Sequence, residues 1–156
     1  MLLSDPRITV KLNVDFFEAR AKGLLPSFRK LVYTGPIDSY FQGLPKLEYR
    51  SLRFEEEYID DPEDGFFQSA FVVNYPSPDV GFTRIVEYKH VPNQPLDVKR
   101  GLVKGTRIAR EYSSADGPPY YPVPNPANRA LYEKYRDLAT KESSVCFVGR
   151  LASYKY

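Results

Sequence analysis

The first of three long strand-like runs in this chain is Leu47-Glu48-Tyr49-Arg50-Ser51-Leu52-Arg53-Phe54-Glu55. Residues 66–74 and 82–88 form the other two runs, and turn-rich segments at 60–65 and 75–79 separate the three. Such short connections favour antiparallel pairing of neighbouring strands, because a parallel crossover needs a dozen or more residues. The chain is therefore predicted to contain a mostly antiparallel sheet.

Helical signals lie on both sides of these runs. Asp15 is predicted to cap a short helix that ends at Gly23, with Glu18 as its capping-box partner. Asn125 and Pro126 suit the start of a longer helix that runs to residue 139, and one further helical turn is predicted at 37–41. Other predicted strands are residues 8–14, 31–33, 103–112 and 145–148. Strands combined with two or three helices predict an α+β fold.

Composition narrows the class of protein. The 156 residues are 42% apolar and 27% charged, which are ordinary globular values for one domain. Because 22 basic and 20 acidic residues leave a net charge of only +2, we expect no general attraction to nucleic acid or to a membrane. No apolar run is long enough to span a bilayer, and the first residues lack the features of a signal peptide. Together with a single cysteine, this predicts a cytoplasmic protein.

The chain has too few histidines and cysteines for most metal sites or Cys–His catalytic pairs. The chain has one histidine, His90, and one cysteine, Cys146, so we predict no metal site and no Cys–His pair unless these two meet. A structural role for His90 and a buried apolar role for Cys146 are favoured. Catalysis would therefore rest on Tyr, Arg, Lys and carboxylates, or on a cofactor.

Three places carry candidate binding residues, each with an ordinary structural alternative. Arg84 lies in a predicted strand and could fork onto a phosphate, or it could be a solvated or salt-bridged surface residue. Tyr121 follows Tyr120 in a loop stiffened by prolines, and its phenol suits a phosphate or sugar as well as loop packing. Tyr156 lies beside Lys155 at the end of the sequence, where fraying is the alternative.

Five blocks, taken in order, resemble the UDP-galactopyranose mutase family. No single block is specific, but their shared order from residue 31 to residue 156 is. The blocks are the run 47–55 quoted above, Tyr33-Thr34-Gly35-Pro36-Ile37-Asp38-Ser39-Tyr40-Phe41, Phe82-Thr83-Arg84-Ile85-Val86-Glu87-Tyr88-Lys89-His90, Pro119-Tyr120-Tyr121-Pro122-Val123 and Gly149-Arg150-Leu151-Ala152-Ser153-Tyr154-Lys155-Tyr156.

The resemblance implies a flavoenzyme that interconverts UDP-galactopyranose and UDP-galactofuranose for bacterial surface glycans. In this family N5 of reduced FAD attacks the anomeric carbon and displaces UDP, so the nucleophile belongs to the cofactor and no catalytic side chain is assigned. The protein part is expected to supply position and charge.

Site residues follow from the same resemblance, position by position. Asn74, Arg84, Tyr121 and Tyr156 match substrate-binding residues, and of these Arg84 and the two tyrosines match contacts to the UDP diphosphate. The matches to FAD-binding residues are Arg150 beside the flavin, Val10 near the adenine, and Thr34 with Gly35 near the cofactor.

The departures from the family also carry information. The family's G-x-G-x-x-G fingerprint, which holds the FAD pyrophosphate, is absent, Phe82 replaces a tyrosine, and Ser153 replaces a glutamate. Residues 1–156 are therefore expected to be a single fragment, the C-terminal substrate-binding region. The fragment should be inactive without the N-terminal half, and exposed strand edges make a homodimer possible.

An alternative class stays open. The chain could be a stand-alone, non-catalytic module of the same fold that binds a nucleotide-sugar or another protein. Nucleic-acid binding by aromatic stacking is disfavoured, because the sequence has no basic stripe.

Overall fold

The computed structural model describes residues 2–156, which form two compact units, 2–31 and 32–156. The first unit contains a 3-10 turn, Leu2–Ser4, and the helix α1, Phe16–Ala21. Asp15 caps α1 as predicted, because its carboxylate accepts a hydrogen bond from the Glu18 amide at 2.8 Å. The chain then leaves the helix through Gly23, whose φ of 65° is readily adopted by glycine.

The strand predicted at residues 8–14 is wrong. No β-strand occurs in residues 2–30, and the apolar side chains of Ile8, Val10, Leu12 and Val14 are all exposed. Alternation of apolar and polar residues gives a strand only where a neighbouring strand takes up the backbone hydrogen bonds and one face is buried. Neither condition is met within this unit.

The second unit is organised around a five-stranded sheet in the order β3-β4-β5-β2-β6. Its strands are β2 (Tyr49–Ile59), β3 (Val72–Asn74), β4 (Arg84–Glu87), β5 (Thr106–Ser114) and β6 (Tyr121–Pro122). The four pairings in this sheet are antiparallel, as predicted. A second, two-stranded sheet consists of β1 (Leu31–Tyr33) and β7 (Val145–Phe147).

The neighbour of β2 differs from the expectation. The turn at 60–65 predicted a hairpin with the following run, but β2 instead pairs with β5 from Ser51 opposite Ser114 to Ile59 opposite Thr106. The run at 66–74 is a strand only over β3, since the residues before it form an irregular segment that follows a 3-10 turn, Glu63–Gly65. Pairing between distant segments is set by tertiary packing, which local turn signals do not report.

Four more helices complete the mixed α+β fold: α2 (Ile37–Tyr40), α3 (Leu96–Lys99), α4 (Pro126–Ala139) and α5 (Arg150–Ser153). The bounds of α4 are those predicted, and the Asn125 side chain caps it by accepting from the Asn128 amide at 2.7 Å. The sequence predicted two or three helices and missed α3 and α5, which are single turns. Within the described residues, no helix is long and apolar enough to cross a membrane.

The core of the second unit combines α2, α4 and the end of the chain. Ile37, Leu47, Tyr135 and Tyr154 form one buried cluster. Buried phenols need partners, and both find them: Tyr135 donates to the Pro45 carbonyl at 2.8 Å, and Tyr154 donates to the Glu48 carbonyl at 2.6 Å. The long helix is therefore tied to the segment that leads into β2.

Cys146 corrects another expectation. It lies on β7 but is exposed rather than buried, whereas its neighbours Val145 and Phe147 are half-buried. Side chains alternate between the faces of a strand, so covering one face of β7 leaves Cys146 on the other.

Alkaline pH is expected to destabilise this core. Burial raises the pKa of the phenols of Tyr135 and Tyr154, and burial together with the nearby charge of Asp38 raises the pKa of Tyr49. In the unfolded chain these phenols ionise near pH 10, whereas in the folded chain they stay neutral at that pH. The stabilisation is therefore complete below about pH 10 and is lost as the pH rises above it. Thermal melts at pH 8 and pH 10.5 should show a lower Tm at pH 10.5, and an equal Tm would contradict the prediction.

Candidate functional site

Asn74 and Arg84 face each other across two strands. The antiparallel register of β3 and β4 pairs these two residues directly, and directly opposed residues share a face of the sheet. Asn74 is exposed, and the Arg84 side chain keeps 41% of its surface exposed. The sheet therefore presents an amide and a guanidinium side by side.

Glu111 of β5 is the acidic partner of Arg84. The Arg84 Nε lies 3.1 Å from Glu111 Oε1, and the glutamate side chain is only 11% exposed. Arg84 is thus a salt-bridged strand arginine, which is the structural role that the sequence analysis gave as the alternative to phosphate binding. The contact is an ion pair without hydrogen-bond geometry, and Nε is one nitrogen of a fork that has five N–H donors. Sequence reasoning missed Glu111, whose only local signal was its place in the predicted strand 103–112.

A second group of predicted residues lies at the other edge of the sheet. Tyr121 of β6 stacks on Tyr156, with ring centroids 5.9 Å apart and planes 13° apart. The guanidinium of Arg150 lies over the Tyr121 ring, 4.2 Å from its centroid. A cation held on an aromatic face in this way is oriented as well as attracted. Three residues that the sequence singled out separately are therefore in contact.

Tyr154 explains how Tyr156 reaches this position. After α5 the chain turns at Tyr154, which has left-handed backbone angles of φ 48° and ψ 41°. Its phenol is fixed by the Glu48 carbonyl and by the Val123 amide, which donates to it at 3.2 Å. The anchored Tyr154 ring thus fixes the chain two residues before Tyr156.

The registers place both groups on one face of the sheet. Arg84 is opposite Glu111, and Glu111 is opposite Phe54 on β2. Four residues back along β2, Arg50 is opposite Tyr121. Since every second residue of a strand points to the same side, Phe54 and Arg50 share a face. Arg84 and Tyr121 therefore point to the same side, with β5 and β2 between them.

A cavity of about 590 Å³ opens beside Tyr156, between α4 and residues 153–156. Three cations contribute to its lining, Arg129, Arg136 and Lys155, against one carboxylate, Glu133, which pairs with Arg136. This excess of positive charge suits an anionic ligand near Tyr156.

The whole chain, residues 1–156, matches a family model described as UDP-galactopyranose mutase. The chain belongs to the UDP-galactopyranose mutase family. The resemblance seen in the five sequence blocks is thereby confirmed.

Individual relatives carry two different substrate names. The chain is 35% identical over 153 residues to the probable UDP-galactopyranose mutase of Klebsiella pneumoniae, covering 96% of this chain and 36% of that protein. It is 33% identical over 165 residues to UDP-galactopyranose mutase of Mycoplasma pneumoniae, covering 99% of this chain and 40% of that protein. It is also 31% identical over 158 residues to dTDP-fucopyranose mutase of Escherichia coli, covering 99% of this chain and 40% of that protein. The chain spans less than half the length of these curated relatives.

Among the residues that the family resemblance assigns to FAD, Arg150 fits best. It is an exposed cation at the start of α5, and its contact with Tyr121 leaves it on the face that carries the substrate candidates. A guanidinium in this position can contact a flavin or a phosphate. The assignment of Arg150 to FAD stays a prediction that rests on the family resemblance.

The other FAD assignments have weaker structural support. Gly35 has a packing reason of its own, because a Cβ there would lie 2.6 Å from the Tyr33 phenol oxygen. Thr34 is exposed beside it. Val10 lies in the first unit, in a segment that is not a strand, and is 50% exposed. All three stay predictions that rest on the mutase resemblance.

His90 is a partnered structural histidine. Its Nε2 lies 2.9 Å from the Gln68 carbonyl oxygen and 3.2 Å from the Glu87 carboxylate. This arrangement agrees with the structural role that the sequence favoured for it.

Proposed function

We propose that residues 1–156 are the C-terminal, substrate-binding region of a flavin-dependent mutase that interconverts UDP-galactopyranose and UDP-galactofuranose. The observation that carries the proposal is the shared face: Asn74, Arg84 and Tyr121 point to one side of the sheet, and Tyr156 stacks on Tyr121. These four residues are the proposed substrate contacts. The proposed FAD contacts are Arg150, Val10, Thr34 and Gly35.

Each proposed substrate residue contributes charge or a hydrogen bond rather than covalent chemistry. Arg84 would donate two N–H groups to diphosphate oxygens while the negative charge of Glu111 lies beside its Nε. The phenols of Tyr121 and Tyr156 would donate from the other edge of the sheet. Bound reduced FAD would supply the nucleophile, so this part of the chain orients the nucleotide-sugar and stabilises the departing UDP.

The whole-protein setting is part of the same proposal. Within this proposal the region works together with an N-terminal half that carries most of the FAD site, in a cytoplasmic enzyme whose exposed strand edges allow a homodimer. The 156 residues by themselves are expected to be inactive.

Turnover of the full-length gene product tests this function. We expect conversion of UDP-galactofuranose to UDP-galactopyranose with FAD and dithionite, and none with oxidised FAD. A full-length product that binds no flavin would refute the proposal. One relative is named dTDP-fucopyranose mutase, so the pyranose and furanose forms of dTDP-fucose are the control substrates that test nucleotide and sugar specificity.

The competing reading is a stand-alone binding module. It predicts that the 156 residues bind UDP without any flavin and that the full-length product has no turnover. Calorimetric titration of UDP into the isolated chain, alongside the turnover assay, separates the two functions.

A further inference from the structure

Glu87 is buried behind the proposed substrate face. It belongs to β4, three residues after Arg84, so its side chain points to the opposite side of the sheet. None of its surface is exposed, yet it carries a carboxylate. Burying a carboxylate is strongly unfavourable unless hydrogen bonds replace the lost water. The structure provides those bonds from one irregular segment, residues 66–71.

Both carboxylate oxygens of Glu87 are used. Oε1 accepts from the Phe67 amide at 3.0 Å, and Oε2 accepts from the Gln68 amide at 2.9 Å. His90 lies on the same group, since its Nε2 is 3.2 Å from Oε2 and 2.9 Å from the Gln68 carbonyl. Both neighbours of Nε2 are acceptors, which places a proton on this nitrogen. The His90 ring also stacks on Phe66 with centroids 4.5 Å apart.

Further hydrogen bonds tie the same segment to β4. The Gln68 side-chain amide donates to the carbonyls of Ala70 at 2.7 Å and Ile85 at 3.2 Å. The Glu87 amide donates to the Phe71 carbonyl at 2.9 Å. Residues 66–71 thus have no regular secondary structure of their own but are held by hydrogen bonds to β4 and to the turn after it.

This segment leads directly into β3, the strand that carries Asn74. β3 has three residues and lies at the edge of the sheet, where β4 is its one partner among the described residues. So short an edge strand gains little from its own ladder, and its placement depends on what holds the residues before it.

We infer that Glu87 is a positioning residue, which clamps segment 66–71 and thereby keeps Asn74 opposite Arg84. The inference rests on the proposed function, in which these two residues bind the nucleotide-sugar. A carboxylate suits the task because it accepts from two adjacent amides at once, whereas a glutamine has one acceptor oxygen and would turn its NH₂ group towards an amide N–H.

The Glu87→Gln variant tests the clamp in the full-length protein. Loss of one hydrogen bond to a charged group is expected to raise the UDP dissociation constant about tenfold and to speed amide hydrogen exchange in residues 66–74 by a similar factor. Glu63→Gln is the matched control, because Glu63 is exposed in the preceding turn, and it should change neither value.

A double variant separates positioning from general destabilisation. If Glu87 acts through Asn74, then Glu87→Gln should weaken UDP binding much less in an Asn74→Ala background than in the wild-type protein. A lower Tm with unchanged UDP affinity would overturn the inference, as would equal weakening in both backgrounds. If Glu87→Gln fails to fold, Gln68→Leu removes the side-chain hydrogen bonds from Gln68 to Ala70, Phe71 and Ile85 and should give the same pattern.

The two proposals fail differently. A wild-type full-length protein that binds no UDP refutes the proposed function. UDP binding that Glu87→Gln leaves unchanged refutes the clamp alone.

Discussion

Replacing Arg84 with alanine is expected to raise the dissociation constant for UDP about 100-fold in the full-length protein. Two charge-assisted hydrogen bonds to the diphosphate would be lost, each worth roughly 1.5–3 kcal/mol, and the lower figure for both already corresponds to two powers of ten. Calorimetric titration with UDP measures the change. Arg84→Lys should give an intermediate value, since it keeps the charge but not the fork.

Arg110→Ala is the matched control for this experiment. Arg110 lies on the neighbouring strand β5, but its side chain points to the other face and pairs with Glu57. Loss of a surface ion pair of this kind lowers the free energy of unfolding by about 0–1 kcal/mol. Because Arg110 does not lie on the proposed substrate face, the UDP dissociation constant should change less than twofold. Equal effects of Arg84→Ala and Arg110→Ala would contradict the assignment of the substrate face.

Replacing Tyr135 with alanine is expected to cost about 3–5 kcal/mol of the free energy of unfolding, as other aromatic-to-alanine changes in cores do. Tyr135 is 0% exposed at the centre of the α2–α4 cluster, and the cavity it would leave is enclosed by Ile37, Leu47 and Tyr154. Urea titration followed by circular dichroism measures the loss.

Tyr135→Phe separates packing from hydrogen bonding in that core. It keeps the ring and removes the donor to the Pro45 carbonyl, so we expect a loss of about 1 kcal/mol. If alanine and phenylalanine were equally destabilising, the ring would contribute nothing to the core, contrary to the prediction.

The elements of the fold that could be predicted from the sequence are those whose signals lie within one short segment. The helix α4 was predictable to the residue because its cap, its first proline and its apolar face all lie within one segment. The partnership of β2 with β5 was not, since it joins residues that are 47 (Ile59 and Thr106) to 63 (Ser51 and Ser114) positions apart and depends on the packing of both faces. β6 has only two residues and lies in a segment predicted as a proline-rich loop.

The site shows the same division. Family motifs pointed to Asn74, Arg84, Tyr121 and Tyr156 one by one, but not to their common face, which follows from strand registers that no motif contains. The roles of Glu111 and Glu87 could not be predicted from the sequence for a further reason. A carboxylate in a strand is usually solvent-facing, and only the fold shows that these two are buried and paired.

Because the proposed site uses one face of the sheet, it depends on the number of residues between Arg50 and Phe54 in β2. Arg50 and Phe54 are an even number of residues apart, and this even spacing is what puts Tyr121 and Arg84 on the same side. Inserting or deleting one residue between them would turn one half of the substrate face to the opposite side of the sheet while leaving every motif intact. Family members that bind through this face can therefore differ in the side chains between positions 50 and 54, but the number of residues there should be constant. Insertions should be confined to the connections between strands.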